Sequence, residues 1–185
     1  MDRPNSSTPN RILARAATSG RGSVFTPSDF LDLAARSAVD QALSRLASNG
    51  KLRRLARGLY DLPKLHPRLG PLSPDPDRVA GALARETGSK VQIAGARAAH
   101  LFGLTTQVAA QSDYLTDGPS RRVVLGKRVV DLRHASPKHL ILPGSAAGTV
   151  VQALRHLGPT RAGDVVRIAA RSLSAADKKR LGASV

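Results

Sequence analysis

The chain has 185 residues, 41% of them hydrophobic, enough to bury a core and too many for a disordered tail. Lysine and arginine number 29 against 13 acids, a formal charge of +16, so an anionic partner is expected. The absence of cysteine excludes disulfides, thiolate zinc sites and cysteine nucleophiles.

Residues 1–9 are polar with two prolines and read as a disordered lead. No later run approaches the ~18 apolar residues of a membrane span, so a soluble cytoplasmic protein without membrane partners is expected. Residues 10–17 place Ile12, Leu13, Ala16 and Ala17 on one helical face, and the Gly20-Arg21-Gly22 stretch ends it. Ser23-Val24-Phe25 reads as a short strand with Phe25 buried, expected to join a hairpin further along.

Thr26-Pro27-Ser28-Asp29 is a helix start, and that helix is expected to run to about residue 35. After a turn at Arg36, Ser37 is the expected cap of a second helix, with Asp40 three residues on. Val39, Ala42, Leu43 and Leu46 then form its inward stripe. Ser37, Gln41, Ser44, Arg45 and Ser48 point outward, a short-chained hydrogen-bonding face with one cation. An ordinary solvated helix looks the same, but so does a helix for the major groove, where Gln pairs with adenine and Arg with guanine.

Asn49-Gly50 stops that helix, and residues 51–62 read as two short strands around Arg57-Gly58. This wing carries Lys51, Arg53, Arg54 and Arg57 with no acid before Asp61, while Leu52, Leu55, Leu59 and Leu62 are available to the core. Such cations contact phosphates and set register without reading sequence. Residues 10–63 are therefore expected to be a winged helix-turn-helix that binds double-stranded DNA.

Val24-Phe25-Thr26-Pro27-Ser28-Asp29-Phe30, Val39-Asp40-Gln41-Ala42-Leu43-Ser44-Arg45-Leu46 and Arg57-Gly58-Leu59-Tyr60-Asp61-Leu62-Pro63 together resemble the N-terminal domain of AbiEi-type antitoxins. These belong to bacterial type IV toxin–antitoxin and abortive-infection systems. Residues 67–74 and 115–121 also resemble that family, so the likeness covers most of residues 10–160. It implies a repressor of its own operon, acting at operator repeats and paired with a nucleotidyltransferase toxin that it counteracts.

Five of the twelve prolines fall within residues 62–77, so 64–77 reads as a stiff linker. Residues 78–185 are expected to be a mixed α+β antitoxin or interaction domain with a small antiparallel sheet. Helices are expected over 76–87, 94–102, 145–157 and 163–173, with a last one begun by Ser174 and Asp177. Strands are expected at 90–93, 114–116 and 140–142, and a hairpin at 121–133 around Gly126. That hairpin concentrates Arg121, Arg122, Lys127, Arg128 and Arg133, relieved by Asp131. It reads either as a charged edge or as a contact surface for the toxin or for nucleic acid.

No catalytic motif stands out. The histidines lack metal-ligand spacing, and Gly144-Ser145-Ala146-Ala147-Gly148 lacks the Lys-Ser/Thr ending of a phosphate loop and reads better as a helix start. The expectation is a protein that is not an enzyme, with no cofactor and no metal, acting as monomer or dimer on DNA. Two alternatives carry over: an RNA-binding adaptor, which aromatic residues at 3% make hard to build, and a winged-helix module that binds only protein.

Overall fold

The computed structural model describes residues 7–106 and 111–183. The chain forms two compact units, Met1–Glu86 and Thr87–Val185. Both mix helices with small sheets, so the fold is α+β.

In the first unit, α1 (Thr8–Thr18) begins with Pro9 in its first turn and buries Ile12 and Ala16. Residues 1–6 of the expected disordered lead lie outside the described residues, and residues 8 and 9 belong to this helix. Strand β1 (Val24–Phe25) leads into a 3-10 turn, Pro27–Phe30. The Asp29 carboxylate accepts from the Thr26 amide (2.7 Å), as a helix start requires.

The helix expected to continue to residue 35 does not form. Leu33 N–H donates to the Phe30 carbonyl, a 3-10 bond, rather than to that of Asp29 as an α-helix requires, and two arginines of α1 bond carbonyls of this segment. Arg15 donates to the Asp29 carbonyl and Arg11 to that of Leu33, each at 3.0 Å. Helix α2 (Arg36–Ser48) then starts two residues earlier than expected. Ala35 is its cap position, and no side chain caps it, so Ser37 lies inside the first turn and is exposed. At the other end Gly50 takes φ 66°, the left-handed conformation that terminates helices.

Strands β2 (Arg53–Ala56) and β3 (Leu59–Asp61) pair antiparallel around Arg57-Gly58, and β1 adds to β3, giving the sheet order β1-β3-β2. Val39, Ala42, Leu43 and Leu46 of α2 meet Ile12, Phe25, Phe30, Leu52 and Tyr60 in one core, with Leu62 against it. Leu59 is buried as well, whereas Leu55 stays half-buried.

Residues 64–77, expected to be a linker, are folded into this unit. They carry the hairpin β4 (Leu65–His66) and β5 (Gly70–Pro71) and open α3 (Pro76–Thr87). The division of the chain therefore falls at the last residue of α3, whose Arg85 reaches Asp29 (3.0 Å) and the Val24 carbonyl (3.0 Å).

The second unit has a four-stranded sheet of β6 (Val91–Ile93), β7 (Gln111–Thr116), β8 (Arg121–Leu125) and β9 (Arg128–His134), in the order β6-β7-β9-β8. The β6–β7 and β8–β9 pairs are antiparallel, but β7 and β9 run parallel, so the sheet is mixed. Tyr114, Val123, Leu125, Val130 and Leu132 alternate onto its buried face. Helices α4 (Gly95–Leu101), α5 (Ala146–Leu157) and α6 (Ala162–Ser172) share a core of Ala98, Ala99, Val150, Ala153, Val165 and Ala169. Ser145 caps α5 by accepting from the Gly148 amide (3.0 Å), and Ser174 caps α7 (Ala175–Gly182) in the same way.

The strand expected at 140–142 is absent. That segment is irregular, and Leu142 takes φ 48°. Its carbonyl accepts from both the amide and the hydroxyl of Ser145, so it forms the approach to α5 rather than pairing with a strand.

Candidate nucleic-acid interface

The period of α2 turns one stripe inward and leaves Ser37, Asp40, Gln41, Ser44, Arg45 and Ser48 exposed. Beside this face the β2–β3 hairpin turns at Gly58, whose φ of 69° suits glycine. Between helix and hairpin lies a cleft of ≈ 300 Å³ lined by Arg36, Asp40, Ser44, Arg54, Arg57, Gly58 and Tyr60. Two hairpin arginines thus stand next to the N-terminal half of the helix face, and Lys51 is exposed just past its C-terminus.

Arg53 has a different role from the phosphate contact expected of it. Its guanidinium grips Asp61 with two bonds (3.0 and 2.6 Å) and donates to the Leu72 carbonyl (2.8 Å). Asp61 is fully buried, so Arg53 is the counter-charge that permits a carboxylate there. It holds the hairpin together, and the exposed hairpin cations are Lys51, Arg54 and Arg57.

Two residues of the cleft were read from sequence only as turn and capping signals. Arg36 and Asp40 sit one helical turn apart and pair at 3.1 Å on the exposed face. Their four-residue spacing, in phase with Ser37, Gln41 and Ser44, was the available sign. A carboxylate repels phosphate, whereas a cytosine amino group is a donor it can accept from.

The second basic cluster is spread along the edge of the sheet. Arg122, Lys127 and Arg128 are exposed on β8, its turn and β9. Arg121 is half-buried, and Arg122 sits in register with Asp131. Arg133 bonds Asp113 (3.1 Å) and approaches Asp131 (3.8 Å), so it neutralises acids of the sheet. Among the described residues no group of three or more His, Asp or Glu side chains is placed to hold a metal ion, and no helix is long and apolar enough to cross a membrane.

Residues 11–180 match a family of unknown function, DUF6088. This chain belongs to that family. Its description assigns no activity, and no curated protein and no solved structure matches the chain.

Proposed function

We propose that this DUF6088 protein is a DNA-binding transcriptional regulator whose first unit is a winged helix-turn-helix. The observation that carries this reading is the exposed face of α2, polar and hydrogen-bonding, bordered by a hairpin whose exposed long side chains are basic. The order helix, strand, short turn of helix, helix and two strands, with β1 closing the sheet beside β3, supports the same reading. In it α2 lies in the major groove, Ser37, Gln41, Ser44 and Arg45 face base edges, and Lys51, Arg54 and Arg57 meet phosphates.

The resemblance to AbiEi-type antitoxins extends the proposal. The protein represses its own operon in the cytoplasm and counteracts a nucleotidyltransferase toxin. The exposed cations of the 121–133 hairpin then serve the toxin or nucleic acid. No exposed Phe, Tyr or Trp offers a stacking platform for single strands. Phe25, Phe30, Tyr60 and Tyr114 are buried and Phe102 is half-buried, which favours duplex DNA over RNA.

The test is a salt-dependent titration against the duplex upstream of the gene, with a scrambled duplex of equal length and a structured RNA as competitors. A preference of at least ~10³ for the native duplex is expected. Equal, steeply salt-dependent binding to both duplexes would remove autorepression. Gln41→Ala should lower the native-to-scrambled ratio about tenfold and leave scrambled binding unchanged.

A further inference from the structure

The β4–β5 hairpin is a projection that the function above leaves unused. Leu65 is 58% exposed and Leu69 72%, the latter the most exposed large hydrophobic side chain among the described residues. Lys64, His66 and Arg68 flank them in sequence, and no acid occurs between Asp61 and Asp75. An apolar tip whose charged neighbours in sequence, Lys64 and Arg68, are both basic suits a polyanion that also offers apolar surface.

The tip has a set shape. The His66 Nδ1 accepts from the amides of both Arg68 and Leu69 (3.2 Å each), Pro67 restrains its own φ, and Gly70 takes φ 67°. Arg68 and Leu69 are therefore presented side by side from an ordered turn, with little entropy left to lose on binding.

Its root is equally well held. Leu72 N–H donates to the Lys64 carbonyl (2.8 Å), Arg21 donates to that of Pro63 (3.2 Å), and the Leu72 carbonyl receives Arg53. Arg53 opens β2 opposite Asp61, at the far end of the β2–β3 hairpin from Arg57-Gly58. The same residue follows the C-terminal end of α2 by only a few positions. The projection thus starts from the end of the candidate interface that the wing turn leaves open.

We infer that the β4–β5 hairpin is an arm that enters the minor groove of duplex DNA, Arg68 lying in the groove and Leu69 pressing on a base step. This rests on the DNA-binding reading above. A two-stranded ribbon also fits a major groove, but α2 occupies that one. The minor groove is only ~6 Å wide, and its negative potential draws arginine while its flexible steps accept apolar wedges.

The experiment uses the full chain, the duplex upstream of its gene and the minor-groove ligand netropsin, with binding read by fluorescence anisotropy. Arg68→Ala and Leu69→Ala alter exposed side chains, and unchanged melting curves would establish that both variants fold. Each should weaken duplex binding about tenfold, the worth of one good groove contact. Netropsin should compete with the wild type and lose its effect on Arg68→Ala. Wild-type affinity in both variants, with netropsin inert, would overturn the arm and leave α2 as the reader. Weakened variants with netropsin still inert would overturn the minor-groove placement. Intact duplex binding with lost capture of a nucleotidyltransferase partner would make the hairpin a protein contact and overturn the inference. A wild-type protein that binds no duplex would remove the DNA-binding reading and the arm with it.

Discussion

The adjacent arginines Arg53 and Arg54 show how far one position can change a role. Arg53 faces the buried Asp61, whereas Arg54 projects into the cleft beside α2. Arg53→Ala leaves a buried carboxylate without its counter-charge and should cost about 3 kcal/mol of stability. Arg54→Ala should stay within about 0.5 kcal/mol of the wild type yet weaken duplex binding and flatten the salt slope by ~0.9. Urea unfolding and the DNA titration, run on both variants, separate the two roles; an Arg53→Ala protein of full stability would reverse the assignment. Asp32 gives a pH test at the same scale. Paired hydrogen bonds from Arg15 (2.6 Å each) hold its carboxyl below the usual carboxylate range. With the folded value below the unfolded one, the pair stabilises the fold above the unfolded pKa of ~4 and loses this as pH falls through the folded value. Asp32→Asn should remove a small part of the acid sensitivity below pH ~4, small because the carboxylate is mostly exposed and screened. An unchanged acid limb of the stability curve would mean the pair contributes nothing.

Helix α5 is where element-scale packing is most exacting. Replacing Ser145 by alanine removes its cap and should cost about 1 kcal/mol. Gly148 lies in its first turn, where alanine ordinarily favours a helix by about 1 kcal/mol. Here the opposite is expected. A Cβ would run into the carbonyls of Leu142 and Ile141 and the Gln92 Oε1 (2.7 Å), on a segment already held in the left-handed region at Leu142. Gly148→Ala should therefore destabilise by about 1–3 kcal/mol, and a rise in the urea midpoint would show that the 140–145 segment yields. Most helices and the hairpins turning at Gly58 and Gly126 were legible because their signals are local: stripes at helical spacing, Ser145 and Ser174 as caps, glycines at Gly50, Gly58 and Gly126. What was not legible depended on distant partners. The helix expected to residue 35 gives way to a 3-10 turn whose Asp29 carbonyl is held by Arg15 of α1, a partner that no window around residues 26–35 reveals.

For the molecule as a whole, charge sets the general attraction and shape sets the selection. The first unit carries fourteen basic and eight acidic residues, the second fifteen and five, so +10 of the total +16 lies outside the unit with the candidate interface. On the proposed DNA-binding reading, exposed cations such as Arg122, Lys127 and Arg128 act on any duplex through counterion release. Their joint replacement by alanine should lower affinity for native and scrambled duplexes alike and leave the ratio unchanged, as salt titrations would report. A changed ratio would make them sequence readers, and unchanged affinities would reserve the hairpin for the toxin.

Local chemistry carried the α+β class, the inward stripe of α2 and its outward polar face, the β2–β3 turn and the excess of positive charge. Each follows from backbone preferences and side-chain periods that act within a few residues. The tertiary structure decided which of those charges are spent. Arg53 and Arg133 meet Asp61 and Asp113 across strands, and Arg15 and Arg85 meet Asp32 and Asp29 across elements. It also folded the proline-rich residues 64–77 into an ordered hairpin and ran β7 parallel to β9. Those outcomes turn on which groups distant in sequence come within bonding distance, a quantity that exists only once the chain has closed on itself.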